Sequence, residues 1–168
     1  MALSEGKILV TGGSGYIGSI LVPELLVKGY KVTALDNLLH NQCSLLDCCA
    51  NQDFDFVKGD ICNYSLINNM LPEFDIVIPL AAIVGAPACS KNPSLTRLVN
   101  YDAHMNIIDN TSSNQKVLFP TTNSGYGIGE KSAYCTEKSP LRPISEYGRM
   151  KVEVEQALLE KGNVVTFR

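Results

Sequence analysis

Residues 7–18 read KILVTGGSGYIG, and this stretch decides the fold. The apolar run at residues 7–10 has the length of a buried strand, and glycines follow it at positions 12, 15 and 18. Apolar side chains then recur at helical spacing, which predicts a helix that ends before Gly29. Those side chains are Ile17, Ile20, Leu21, Leu25 and Leu26. A strand joined to a helix by a glycine-rich turn is typical of a parallel sheet covered by helices.

The same alternation of strand and helix continues along the chain. Further strands are predicted at residues 31–35, 54–57, 76–80, 117–119 and 164–167, and the longest helices at residues 93–110 and 147–161. We therefore predict an α/β fold with a doubly wound parallel sheet of the Rossmann type. The chain has 168 residues, no internal repeat and no linker, so residues 1–168 are expected to form one domain.

Composition and charge exclude several classes of protein. Hydrophobic residues make up 45% of the chain and charged residues 18%, as in an ordinary globular domain. Fourteen basic and 17 acidic residues give a net charge of −3, so neither nucleic acid nor a membrane surface is expected as a partner. No apolar run reaches the ~18–20 residues of a membrane span. The N-terminus lacks the pattern of a secretory signal, and the expected location is the cytoplasm.

The six cysteines show no Cys-x-x-Cys spacing. In the reducing cytoplasm such cysteines stay as thiols. We therefore expect neither a disulfide framework nor a metal site.

An acidic residue follows the glycine-rich turn at the spacing of a dinucleotide site. Glycine allows backbone N–H groups to approach a pyrophosphate, whose charge is favoured at a helix N-terminus. Asp36 lies 18 positions after Gly18, at the end of the second predicted strand, where a carboxylate accepts hydrogen bonds from ribose hydroxyls. The same charge repels a 2′-phosphate, and no Arg or Lys follows before Lys58, which favours NAD over NADP.

Several motifs carry a resemblance to one family. TGGSGYIGS at residues 11–19 and ALDNL at residues 34–38 are followed by Asp60-Ile61, by Leu80-Ala81-Ala82 and by Asn100. FPTTNSGYG at residues 119–127 and YGRMK at residues 147–151 complete the series. Together they resemble the extended short-chain dehydrogenases/reductases, in particular NAD-dependent nucleotide-sugar epimerases and dehydratases such as the UDP-galactose 4-epimerases.

The resemblance implies a set of site residues and partners. The cofactor-binding set is Gly12, Gly15, Tyr16, Ile17, Asp36, Asn37, Asp60, Ile61, Leu80, Ala81, Ala82, Asn100, Tyr147 and Lys151. The catalytic set is Thr122, Tyr147 and Lys151. The family also implies NAD as cofactor, a nucleotide-sugar substrate and a homodimer formed by the helices near residues 95–110 and 147–161. Apolar surface for that dimer is expected from Val152, Ala157, Leu158 and Leu159.

Three longer segments carry a closer likeness. IPLAAIVGAPAC, TTNSGYGIGE and CTEKSPLRPISEYG are similar to bacterial GDP-heptose 4-dehydrogenases of capsule polysaccharide synthesis. In dehydratase relatives an Asp-Glu pair follows the catalytic Thr, whereas Asn123 and Ser124 follow Thr122 here and supply neither an acid nor a base. A 4,6-dehydratase is therefore disfavoured. Dehydrogenase and 4-epimerase both stay open, because the two reactions use the same residues.

The catalytic set suits the oxidation of a secondary alcohol, which requires a base within reach of the O–H proton. Tyr147 is the candidate base, and Lys151, one helical turn later, is expected to lower the pKa of the phenol and to donate to the nicotinamide ribose. Thr122 is expected to hold the substrate oxygen. Simpler interpretations are a surface pair for Tyr147 and Lys151 and a strand-end cap for Thr122. Tyr126 either lines the site or packs as an aromatic, and His104 is expected in the core or on a polar helix face.

Two other functions compete with NAD-dependent oxidation at C4 of a hexose or heptose. Family members continue into a C-terminal region that grips the nucleotide sugar, and this region is expected to be absent from the chain. The chain would then be a catalytically silent module that binds NAD with little turnover. The third possibility is a redox-sensing or regulatory NAD-binding protein, which needs no sugar.

Overall fold

Six parallel strands form one sheet in the computed structural model, which describes residues 6–129 and 134–168. The strands are β1 Lys7–Thr11, β2 Lys31–Asp36, β3 Phe54–Lys58, β4 Ile76–Pro79, β5 Lys116–Pro120 and β6 Val164–Phe167. Their order in the sheet is β3-β2-β1-β4-β5-β6, and every neighbouring pair is parallel. The order reverses between β1 and β4, which confirms the predicted doubly wound sheet of the Rossmann type. Glu130, which ends the TTNSGYGIGE motif, lies outside the described residues.

Helices cover both faces of the sheet. They are α1 Gly18–Val27, α2 Tyr64–Met70, α3 Ala86–Lys91, α4 Pro93–Arg97, α5 Ala103–Asn110 and α6 Glu146–Lys161. The α6 helix begins where the Ser145 hydroxyl accepts a hydrogen bond from the Gly148 amide at 3.1 Å, and it ends before Gly162, whose φ is +79°. None of the described helices is long and apolar enough to cross a membrane.

The helix predicted at residues 93–110 is interrupted. A π-helical turn, Leu98–Asp102, joins α4 to α5, and its backbone hydrogen bonds span five residues instead of four. The apolar residues on either side keep helical spacing, so the sequence pattern gives no sign of the wider turn. The α3 helix is an addition to the predicted elements, because six residues are too few to show a helical period.

The core lies on both faces of the sheet. Residues of β1 alternate between the faces, with Leu9 in one apolar cluster and Ile8 and Val10 in the other. A third cluster, which includes Phe119 and Leu158, lies between β5 and α6. Because both faces are covered, the central strands are apolar along most of their length.

Burial on α6 corrects one expectation about the dimer. Val152 and Leu158 are buried within the chain, and Ala157 is half-buried. Only Leu159 of the four apolar residues assigned to the dimer surface is exposed. The helix uses that apolar face to cover its own sheet, so most of the expected dimer surface is not available.

Candidate active site

The turn after β1 brings two backbone segments together. Gly12 has φ +70°, and its N–H donates to the carbonyl of Leu35 at 2.7 Å. A Cβ atom at Gly12 would lie 2.6 Å from the backbone nitrogen of Ala81, so the segment after β4 runs directly against the turn. Glycine is required here both by its left-handed conformation and by this approach.

Gly13 is a further requirement of the turn, outside the predicted set. A Cβ atom at this position would lie 2.7 Å from the Cβ of Ala34 on β2, and one at Gly18 would overlap the backbone of Gly13. The turn is therefore packed against β2 on one side and against the start of α1 on the other. The doubled glycine at positions 12 and 13 is the sequence signal for it, whereas the prediction used only positions 12, 15 and 18.

Asp36 lies beside the turn, at the end of β2. Its Oδ2 accepts a hydrogen bond from the Ser14 amide at 3.0 Å, and its Oδ1 accepts one from the Leu38 amide at 2.8 Å. The carboxylate thus fixes the glycine turn to the end of β2. Two oxygens offer about four lone-pair sites, so two remain for a ligand.

A cavity of about 250 Å³ lies between the turn, the ends of β2 and β3 and the segment after β4. It is lined by nine of the predicted cofactor-binding residues: Gly12, Gly15, Asp36, Asn37, Asp60, Ile61, Leu80, Ala81 and Ala82. Tyr16 and Ile17 lie on the exposed side of the turn instead, where Tyr16 is 88% exposed. Residues outside the predicted set complete the walls: Ser14, Leu35, Leu38, Leu39, His40, Gln42, Ile83, Leu95 and Val99.

The far wall of the cavity is held by a polar pair. The Asn37 amide nitrogen donates to Asp60 Oδ2 at 3.0 Å, and the Cys62 amide donates to Asp60 Oδ1 at 2.9 Å. Burial raises the pKa of the Asp60 carboxyl, but the hydrogen bonds from Cys62 and Asn37 outweigh it and the net shift is downward. Asp60 is therefore an anion that faces the cavity.

Asn100 hydrogen-bonds to the backbone of Ile83, which lines the cavity. Its Oδ1 accepts from the Ile83 amide and its Nδ2 donates to the Ile83 carbonyl, both at 2.8 Å. The side chain is fully buried and lies in the π-helical turn. Both amide atoms are thus used to hold the segment after β4, whereas the resemblance had assigned Asn100 to the cofactor itself.

Tyr147 lies in the first turn of α6 and is half-buried. Its pKa is raised, first by burial of the phenol and second by the negative charge that the neighbouring Cys89 thiol carries when it ionises. The sequence predicts that Lys151 lowers this pKa. In the structure Lys151 donates to the Pro120 carbonyl and does not contribute to the shift, and the net change in the pKa of Tyr147 is upward.

Lys151 is buried at the end of β5, and the surface-pair interpretation is wrong for it. The side chain is 3% exposed, its Nζ donates to the Pro120 carbonyl at 3.3 Å, and the ammonium lies 4.4 Å from the ring centroid of Phe119. Burial lowers its pKa to about 8. An ammonium has three donors, and Pro120 is its one hydrogen-bond acceptor among the residues that the structure describes. Two donors thus have no hydrogen-bond partner among those residues, and Lys151 is not part of the cavity lining.

Thr122 follows β5 and caps the short 3₁₀ turn Asn123–Tyr126. Its Oγ1 accepts a hydrogen bond from the Ser124 amide at 3.2 Å, so the capping interpretation is confirmed. The hydroxyl hydrogen takes no part in that contact. Capping therefore leaves the Thr122 hydroxyl able to donate to another oxygen.

The sequence left alternatives open for Tyr126 and His104, and in the structure both rings pack against neighbouring side chains. The Tyr126 ring packs against the guanidinium of Arg168, whose Cζ lies 5.5 Å from the ring centroid. His104 is buried, with Nδ1 3.0 Å from the Val99 carbonyl oxygen and the ring 5.6 Å from that of Phe119. Burial, and after it the charge of Lys151, lower the pKa of His104 to about 3. It is a neutral core residue.

Metal chemistry has no support in the described parts of the chain. Within residues 6–129 and 134–168, no three His, Cys, Asp or Glu side chains come together as metal ligands. All six cysteines are unpaired thiols. The predicted catalytic groups are a phenol, an ammonium and a hydroxyl.

The fold and the site define a Rossmann-type dinucleotide-binding protein. The narrow glycine turn and the spare donors of Lys151 fit such a ligand, because the first admits a pyrophosphate and the second suits ribose hydroxyls. Residues 8–163 match the model of the NAD dependent epimerase/dehydratase family. The chain belongs to this family, for which NAD is the cofactor.

Two of the relatives that the chain resembles are UDP-glucose 4-epimerases. The UDP-glucose 4-epimerase of Mycolicibacterium smegmatis is 34% identical over 155 residues, which cover 89% of this chain and 49% of that protein. UDP-glucose 4-epimerase 2 of Oryza sativa is 29% identical over 158 residues, 88% of this chain and 38% of that protein. The chain thus spans half or less of the length of these two relatives.

Solved structures show the same likeness. The Thermus thermophilus UDP-glucose 4-epimerase in complex with NAD has 28% identity and a TM-score of 0.84, over 96% of this chain and 54% of that one. UDP-glucuronic acid 4-epimerase from Bacillus cereus, in complex with UDP-glucuronic acid and NAD, has 28% identity and a TM-score of 0.85, over 96% and 55%.

Proposed function

We propose that the chain is the NAD-binding and catalytic part of an enzyme that oxidises C4 of a nucleotide sugar, as a 4-epimerase or a dehydrogenase. The observation that carries the proposal is the buried Lys151, one helical turn after Tyr147, whose Nζ donates to the carbonyl of Pro120. Pro120 lies two residues before Thr122. Burial of an ammonium whose N–H donors lack hydrogen-bond partners lowers the stability of the fold. Such a group is therefore a candidate for binding a ligand.

The cofactor is assigned to the cavity between the glycine turn and the segment after β4. The backbone at Gly12 and Gly15 would meet the pyrophosphate, Asp36 the adenosine ribose and Asp60-Ile61 the adenine. Tyr16 and Ile17 would contact the ligand only from the outer side of the turn, since neither lines the cavity. The positions of Asn37, Leu80, Ala81 and Ala82 on the cavity wall support their assignment to the same ligand.

The catalytic roles follow from the groups at the end of β5. NAD supplies the acceptor for the hydride that leaves C4. Tyr147 takes the proton of the C4 hydroxyl, the Thr122 hydroxyl hydrogen-bonds to the same oxygen, and Lys151 donates to a ribose hydroxyl and favours the phenolate. Its charge has to act on the phenol in the bound state, because burial alone raises the pKa of Tyr147.

The substrate class rests on relatives and on the segment after Thr122. The named relatives act on UDP-sugars, which supports a nucleoside diphosphate sugar. Asn123 and Ser124 are both exposed, and neither is an acid or a base, which argues against a 4,6-dehydratase. A GDP-heptose in capsule polysaccharide synthesis is the specific candidate from the sequence likeness.

A catalytically silent NAD-binding part is the second candidate function. The raised pKa of Tyr147 favours it, since a protonated phenol is a poor base. In this alternative residues 1–168 bind NAD, and a further region is needed to bury the sugar and start turnover. We further propose a homodimer with contacts from Leu98 and Leu159, which are exposed. The proposed location is the reducing cytoplasm, where the six cysteines stay as thiols.

Binding and turnover test these candidates separately. Calorimetry with NAD and NADP measures cofactor binding by the chain. Absorbance at 340 nm and sugar analysis are then followed with UDP-glucose, UDP-galactose and GDP-sugars, for the chain and for the whole protein. Net NADH indicates a dehydrogenase, and interconversion of sugars without net NADH indicates an epimerase. A chain that does not bind NAD would refute the proposal.

A further inference from the structure

Glu155 holds a buried ionic contact at the end of the sheet. It is 1% exposed, and both carboxylate oxygens accept from Arg168 Nε at 3.1 Å. Thr166 Oγ1 donates to Oε1 at 2.9 Å, and Thr121 Oγ1 donates to Oε2 at 3.3 Å. The contact therefore joins α6 to the ends of β5 and β6.

Lys151 and Glu155 bind successive residues of the same strand end. Lys151 Nζ donates to the carbonyl of Pro120, and the Glu155 carboxylate accepts from the hydroxyl of Thr121. The next residue in the chain is Thr122. Two side chains one turn apart on α6 thus fix the backbone that delivers the third catalytic group.

Opposite charges four residues apart on a helix are neighbours and ordinarily pair. Lys151 and Glu155 have this spacing and are both buried, yet no salt bridge joins them, and Glu155 pairs with Arg168 at 3.1 Å instead. A buried carboxylate that loses its cation must recruit another or become protonated. Lys151 is the cation one turn away.

We propose that Arg168 is a positioning residue that reserves Lys151 for the cofactor. By neutralising Glu155, the guanidinium leaves the Lys151 ammonium on the Pro120 carbonyl with two donors unused. Arg168 contacts neither Lys151 nor the cavity lining, and its link to Lys151 runs through Glu155. Its Nη1 also donates to the Tyr126 hydroxyl at 3.5 Å and to the Glu137 carbonyl at 3.1 Å. The inference rests on the proposed function, because it assigns the two free donors to NAD.

The test compares Arg168→Met with the double variant Arg168→Met/Glu155→Gln, using NAD titration calorimetry on the 168-residue chain. Arg168→Met is expected to weaken NAD binding by about tenfold or more, since Glu155 then draws Lys151 away. The double variant lacks the competing carboxylate and is expected to recover to within about threefold of the unmodified chain. Arg168→Lys, which keeps a cation beside Glu155, is expected to bind NAD as the unmodified chain does.

A second readout separates positioning from folding. The pKa of Tyr147 in the NAD-bound chain, measured by phenolate absorbance with Tyr147→Phe as the blank, should rise in Arg168→Met and return in the double variant. A loss of melting temperature with unchanged NAD affinity and Tyr147 pKa would overturn the inference, as would a double variant that binds no better than Arg168→Met. If Arg168→Met does not fold, Arg168→Gln is the neutral variant.

The unmodified chain distinguishes the two hypotheses. Failure of the unmodified chain to bind NAD refutes the proposed function. Equal binding of NAD by the unmodified chain and by Arg168→Met refutes only the role of Arg168.

Discussion

Gly12 and Ala81 lie in direct backbone contact, with only 2.6 Å between the Ala81 nitrogen and the place where a Cβ of residue 12 would be. Gly12→Ala is therefore expected to lower the free energy of unfolding by about 2 kcal/mol or more. Alanine would be strained in the left-handed backbone conformation, and its Cβ would displace the backbone at Ala81. NAD binding should fall below detection by calorimetry.

Gly29→Ala is the matched control for Gly12→Ala. Gly29 has φ +84° and no neighbouring atom within 4 Å of a Cβ, so alanine there carries the strain without the overlap. The control should lose about 1 kcal/mol in denaturant unfolding and keep its NAD affinity. Equal loss of NAD binding in both variants would contradict the role of the contact.

Asp36→Ala is expected to reduce the preference for NAD over NADP. The carboxylate both accepts from the ribose and repels a 2′-phosphate, so NAD affinity should drop by roughly tenfold, about 1.4 kcal/mol. NADP affinity should fall less, because loss of the bonds to the Ser14 and Leu38 amides weakens both cofactors but only NADP is relieved of repulsion. Asp109→Ala removes one exposed negative charge outside the cavity lining and serves as the control. Titration of both variants with both cofactors checks this, and an unchanged preference in Asp36→Ala would rule it out.

Tyr147→Phe is expected to abolish hydride transfer in the whole protein by at least about a hundredfold, because the proton of the substrate hydroxyl has no acceptor. NAD affinity should change little, since the phenol does not line the cavity. Tyr134→Phe removes a phenol that is 98% exposed and should have no effect. Single-turnover absorbance at 340 nm measures the rate. Retention of the rate in Tyr147→Phe would exclude the residue as the base.

Lys151→Met is expected to stabilise the chain at neutral pH by a few kcal/mol at most. Burial holds the pKa of Lys151 at about 8, below its unfolded value of about 10.4. Between these two pH values the unfolded chain binds a proton that the folded chain has released. Stability of the unmodified chain should thus rise as pH increases from about 8 to 10, and the advantage of the variant should shrink over that range. Urea unfolding at pH 7 and 9.5 tests this, with exposed Lys116→Met as the control.

His104 gives a pH dependence of the same sign as Lys151, in a more acidic range. Its pKa of about 3 lies below the unfolded value of about 6.5, so its contribution is complete above pH 6.5 and is lost as the pH falls toward 3. His104→Gln should lose less stability between pH 7 and 4 than the unmodified chain, whereas exposed His40→Gln should not differ from it. Parallel losses in all three proteins would show that His104 is not the titrating group.

The strands and helices with a regular residue spacing could be predicted from the sequence. The π-helical turn at residues 98–102 and the burial of Lys151 could not. The strand before Gly12, the acid at the end of β2 and the α6 helix follow from residue spacing and capping. The π-helical turn around Asn100 leaves no periodic trace. The packing of Gly13 and the burial of Lys151 needed the tertiary structure, because the contact with Ala34 and the hydrogen bond to Pro120 join residues distant in sequence.

The five residues 98–102 set a constraint on chain length. In an α-helix each residue turns the helix by about 100°, so deletion of one residue here would rotate one side of the helix against the other by that amount. Either Asn100 would leave Ile83, or His104 and Ile107 would leave the sheet. Related sequences are thus expected to vary in residue type between β4 and β5 but to keep the number of residues in this turn.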